Sequence, residues 1–178
     1  QMEEQSNLYA GRLKQVYDAG NNSNTIYPTM YPFIAPAGAV NNPLSPQLKI
    51  ISRLISGGIG TKIFLCRIGG FDTHANQVLN NNTTMGGHAA LLYHVSSAVK
   101  AFYDDLKNLG LADRVLTMTF SEFGRRVKSN ASYGTDHGNA APMLVYGTCI
   151  NAGVYGNSPD LTNLNLQNVP MEHDYRQV

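Results

Sequence analysis

Ile63-Phe64-Leu65-Cys66-Arg67-Ile68-Gly69-Gly70-Phe71-Asp72-Thr73-His74 is the stretch on which the fold class turns. Its first four residues form a continuous apolar run, bounded by Gly60 on one side and Gly69-Gly70 on the other. That pattern predicts a parallel strand covered on both faces. Downstream, Leu92, Val95, Val99, Phe102, Leu106 and Leu109 step by three and four, which predicts a helix from His88 to Leu109. On this helix His88 is expected to be half-buried, His94 to lie at the surface or in a groove, and Asp104-Asp105 to face solvent. Val115 to Phe120 and Met143 to Tyr146 read as two further buried strands. Strand, helix, strand, loop, strand predicts an α/β fold with a mainly parallel sheet and right-handed crossovers. Cys66 and Cys149 sit in apolar stretches that read as buried and are expected to be buried, reduced thiols.

Upstream, Glu3 to Ala19 carries a weak helical pattern, and the Pro- and Asn-rich stretch Asn21 to Asn42 reads as an irregular excursion. Ser45-Pro46 offers a hydroxyl cap and a first-turn proline for a helix that Gly57-Gly58 ends. Two parts follow: 1–44, a helix with an irregular segment, and 45–178, an α/β core segment expected to be truncated at both ends. The last residues, Asp174 to Val178, read as an element cut in its middle.

Composition narrows the partners. The 178 residues carry 13 basic and 12 acidic side chains, a net charge of +1, so neither nucleic acid nor an anionic membrane has an electrostatic foothold. No apolar run approaches the roughly 20 residues of a membrane span. Gln1 to Asn7 is polar and acidic, unlike a secretory signal.

Polar chemistry concentrates in three clusters: Gly69 to His74, Ser121 to Arg126, and Gly134 to Asn139. The first two follow expected strands, at the edge where open α/β sheets bind ligands. Asp72 with His74, and Asp136 with His137, pair carboxylates and imidazoles of the kind that hold Zn²⁺, Mn²⁺ or Fe. Glu122 is a further ligand, an acid/base, or the ion-pair partner of Arg125 or Arg126. An arginine beside a metal, here Arg125, suits a phosphate or sulfate oxygen. Alternatively these polar groups satisfy only one another. Gly57 to Lys62 has neither the spacing nor the strand-first context of a phosphate loop.

The order Gly70-Phe71-Asp72-Thr73-His74-Ala75-Asn76-Gln77, Thr119-Phe120-Ser121-Glu122-Phe123-Gly124-Arg125, Gly134-Thr135-Asp136-His137-Gly138 resembles the successive signatures of the bacterial domain-of-unknown-function 1501 family. That family is grouped with the alkaline phosphatase and sulfatase superfamily, and the likeness runs from about Leu44 to Val178. It implies a three-layer α/β/α fold and a two-metal site, with a divalent ion such as Zn²⁺, Mn²⁺ or Mg²⁺. Asp136 and His137 match the superfamily's Asp-His-Gly ligand loop. Asp72 and His74 take the place of an earlier ligand pair, separated by one residue instead of three. The superfamily's upstream nucleophile and first Asp ligand have no counterpart here, and only His173 is placed to be the final histidine. The resemblance therefore implies a metal-dependent hydrolase of a small phosphate or sulfate ester, incomplete in this chain, in an extracytoplasmic or periplasmic setting. The rival is a non-catalytic extracytoplasmic binding module that kept the fold without the nucleophile.

Overall fold

The computed structural model describes residues 2–174; the chain end at 175–178, read above as a cut element, lies outside the described residues. The chain divides into two compact units. The first comprises Gln1–Gly70 and Ala90–Arg114, the second Phe71–Ala89 and Val115–Val178.

The first unit is helical. Helices α1 (Met2–Ala19) and α2 (Leu44–Ser56) pack together, and α3 (Gly87–Asn108) contributes its length from Ala90 onward. All three helices match the sequence reading to within two residues. The α2 cap differs from expectation. The Asn42 side chain, not Ser45, accepts the first free amides, those of Leu44 at 3.0 Å and Ser45 at 3.3 Å. Ser45 instead turns its hydroxyl to Pro28 O. At the end of α1, Arg53 Nε donates to the carbonyls of Tyr17 (2.8 Å) and Gly20 (3.1 Å), with its guanidinium 4.0 Å over the Tyr17 ring.

Val95, Val99, Phe102 and Leu106 of the expected α3 stripe are buried, but the enclosed face also takes in Leu91, His94 and Asp105, while Leu92 is 46% exposed. His94, expected at the surface or in a groove, is fully enclosed, with its Nε2 2.8 Å from Ala39 O. Asp105, expected in solvent, is also fully buried. It accepts from Ser23 N (2.6 Å), Tyr27 OH (2.9 Å) and Asn22 Nδ2 (3.0 Å), so the irregular segment is tied down on a carboxylate. Asp104 does face solvent, paired with Lys100.

The α/β expectation fails, and with it the three-layer α/β/α fold with a mainly parallel sheet. Among the described residues, the second unit holds two antiparallel strand pairs: β1 (Thr117–Met118) with β4 (Val145–Tyr146), and β2 (Gly124–Ser129) with β3 (Thr135–Gly138). Ile63 to Cys66 forms no strand among the described residues; Ile63 is 86% exposed. Just after this segment, the Gln47 amide donates to Arg67 O and accepts from Arg67 N. A continuous apolar run favours extended backbone but does not supply the neighbouring strands a parallel ladder needs. Val115 to Phe120 is likewise one-sided, with Leu116, Met118 and Phe120 exposed. Cys66 is half-buried and Cys149 exposed, so neither is the enclosed thiol expected.

Candidate metal centre

The three polar clusters meet, by a route other than the expected sheet edge. Ser121–Arg126 runs into β2 and Gly134–Asn139 forms β3, so the second and third clusters are the two arms of one hairpin. Arg125 is paired across it with His137, and Gly124 with Gly138. The first cluster then lies along the hairpin turn. Thr135 N donates to Thr73 O (3.3 Å), Asn76 N to Ser132 O (3.0 Å) and Val78 N to Tyr133 O (3.2 Å). Gln77 Oε1 accepts from the hydroxyls of both Thr73 (3.0 Å) and Thr135 (2.7 Å). This approach requires Gly134. A Cβ there would sit 2.3 Å from the carbonyl of His74.

Asp72, His74 and His137 gather at this junction, each offering one ligand atom, with all three atoms within 4.8 Å of one another. His137 Nε2 lies 2.7 Å from Asp72 Oδ1, and His74 Nε2 lies 3.3 Å from the same oxygen. Ligands bonded to a zinc-like ion at about 2.0–2.2 Å stand roughly 3–3.5 Å apart, so these donors fit one ion with small shifts. Two imidazoles and a carboxylate are also a fitting donor set for Zn²⁺, Mn²⁺ or Fe²⁺. All three residues are exposed, which leaves the centre open to solvent.

Asp136 stands outside this trio, on the far side of His74, with Oδ1 3.2 Å from Nδ1 of that ring. Arg125 sits against the trio: Nη2 is 3.2 Å from Asp72 Oδ1 and also donates to Phe71 O, while Nη1 donates to Thr135 O. Glu122 is exposed and makes no hydrogen bond or ion pair among the described residues, so the expected pairing with Arg125 or Arg126 does not form. His173 is exposed in the tail and is not part of the trio. His88 is half-buried as expected, edge-on to Phe71 with ring centres 5.9 Å apart. Burial, reinforced by the nearby Arg125 charge, disfavours its protonation.

Electrostatics keep both carboxylates ready as anions. The hydrogen bond from His137, helped by the nearby imidazoles and Arg125, holds the Asp72 carboxyl below its ordinary range. Asn130 and then His74 do the same for Asp136.

Sequence reading missed two supporting residues. Phe123 stacks on the His137 ring at 4.0 Å and 6°, and the Arg125 guanidinium lies 5.0 Å from the centre of the same Phe123 ring. Asn130 folds the turn by accepting from Ser132 N and Gly134 N, while its Nδ2 donates to His74 O (2.8 Å) and Asp136 Oδ1 (3.3 Å). An Asn four residues before a Gly, between two polar strands, was the available turn signal.

Neither the curated proteins nor the solved structures compared with the chain give a match. Residues 51–174, which hold the whole centre, match the family described as "Protein of unknown function (DUF1501)", and the chain belongs to that family.

Proposed function

We propose that this chain carries the metal centre of a metal-dependent hydrolase acting on phosphate or sulfate esters, within the alkaline phosphatase and sulfatase-like superfamily. The observation that carries the reading is the convergence of Asp72, His74 and His137 donors within 4.8 Å, beside a guanidinium. A divalent ion held there supplies Lewis-acid activation of a bound water or of an ester oxygen. Asp72, His74 and His137 hold the ion, with Asp136 next to them. Arg125 places a fixed positive charge where the ester's anionic oxygens approach, while its N–H groups keep Asp72 in place. Glu122, exposed and uncommitted, is the available proton carrier. Small anionic esters are the proposed substrates. The extracytoplasmic setting rests on the motif likeness; among the described residues no helix is long and apolar enough to cross a membrane.

One observation favours the second reading, a binding module without turnover. The hydroxyls flanking the centre, Thr73 and Thr135, both donate to Gln77 and are not poised as nucleophiles. The test is release of nitrophenol from aryl phosphate and aryl sulfate by purified protein loaded with Zn²⁺, Mn²⁺ or Mg²⁺. Turnover that His137→Ala abolishes supports the hydrolase. Bound metal with no turnover above the His137→Ala background leaves the binding module.

A further inference from the structure

We infer that the centre takes one divalent ion and that Asp136 is its positioning residue, not a ligand: its carboxylate accepts Nδ1–H of His74 and so commits Nε2 of that ring to the ion. The inference rests on reading the trio as a metal centre and divides the labour within it.

Three observations carry it. His74 lies between two carboxylates and addresses them with opposite nitrogens, Nε2 toward Asp72 at 3.3 Å and Nδ1 toward Asp136 at 3.2 Å. A ring nitrogen that donates to a carboxylate cannot also bind a metal, and such an outer carboxylate fixes the tautomer of a ligating histidine. Second, Asp136 and His137 are neighbours on β3, where successive side chains leave the strand on opposite sides. The Asp-His pair thus meets His74 from two directions: His137 beside it, ring centres 4.8 Å apart, and Asp136 at the other nitrogen. Third, Asp136 is itself held. Asn130 Nδ2 donates to its Oδ1 and to the His74 carbonyl, so one amide ties the carboxylate to the backbone of the ring it orients.

Zinc titration of the purified protein, followed by calorimetry and by bound-metal analysis, decides the point. One ion per chain is expected. Asp136→Asn still takes one ion but binds it about 10–100-fold more weakly, the usual cost of losing such a partner. Asp72→Ala takes up none at concentrations that saturate the unmodified protein. Two ions per chain, an Asp136→Asn variant with unchanged affinity, or no zinc uptake overturns the inference. Long-range ¹H–¹⁵N NMR of the zinc-loaded unmodified protein reads the same feature without any variant. A protonated Nδ1 on His74 is expected, and a metallated Nδ1 overturns the inference. One ion bound in this way without ester turnover removes the hydrolase and leaves this assignment standing; turnover with two ions does the reverse.

Discussion

Arg125 Nη2 stands 3.2 Å from Asp72 Oδ1, the oxygen that also lies 2.7 Å from His137 Nε2. The same guanidinium holds the carbonyls of Phe71 and Thr135, so it joins the first cluster to β3 through one planar fork. A lysine keeps the charge but cannot span three acceptors. Arg125→Lys is therefore expected to fold and to bind zinc about 10-fold or more weakly, through a misplaced Asp72. Competition against a chromophoric chelator measures it. An affinity equal to that of the unmodified protein would show that the fork does not position Asp72.

The buried Asp105 gives a stability prediction in the helical unit. Its burial alone would raise the carboxyl, but the hydrogen bonds from Ser23 and Asn22 win, and it is held below the usual range. A carboxylate held low stabilises the fold at pH values above its unfolded value of about 3.9, and that contribution is lost as pH falls through the lower folded value. Asp105→Ala strands the Tyr27 hydroxyl, the Asn22 amide and the Ser23 N–H, and is expected to cost about 2–4 kcal/mol at neutral pH. Urea unfolding at neutral pH and at about pH 3 should show the gap between the two proteins narrowing in acid. A gap that is constant, or that widens, contradicts the assignment.

The helices were legible in the sequence, as were three residues that the fold brings together, Asp72, His74 and His137; the way the strands pair was not. The three- and four-residue steps of α3, and the glycines ending α2, act over distances a local pattern records. Val115 to Phe120 and Met143 to Tyr146 do hold strands, β1 and β4, paired antiparallel with each other, while Ile63 to Cys66 forms no strand among the described residues; an apolar run does not name the backbone it will pair with, or in which direction. The Asp and His candidates were found because they stand in short polar clusters beside glycines. Their meeting through an antiparallel hairpin was hidden, since β2 and β3 are polar and lack the alternation that announces a strand. His94 and Asp105 were misread for a related reason: an apolar stripe says nothing of a buried polar residue whose partners, Ala39 and the Asn22–Tyr27 segment, are far away along the chain.

Phe123 lies flat on His137, with ring centres 4.0 Å apart. Such a stack fixes the imidazole plane without touching either nitrogen. Phe123→Leu keeps apolar bulk but not the flat face. It is expected to weaken zinc binding several-fold and to leave the thermal midpoint within a few degrees of the unmodified protein. Loss of folding, by circular dichroism, would instead make Phe123 a structural residue of the hairpin.

Gly134 tests whether backbone contact sets the centre. A methyl group there would meet the His74 carbonyl at 2.3 Å and Thr73 O at 2.5 Å, both backbone atoms that cannot rotate away. Gly134→Ala must therefore push the first cluster off the hairpin, at a cost of about 1–3 kcal/mol. His74 moves with it, so zinc affinity should fall at least about 10-fold, as it does when a ligand's supporting contact is lost. The companion variant is Gly11→Ala, in α1, where an added Cβ meets nothing within 4 Å. A mid-helix alanine there should raise stability by about 0.5–1 kcal/mol and leave zinc binding untouched. If Gly134→Ala bound zinc as tightly as Gly11→Ala, the approach of the turn to His74 would have no part in building the centre.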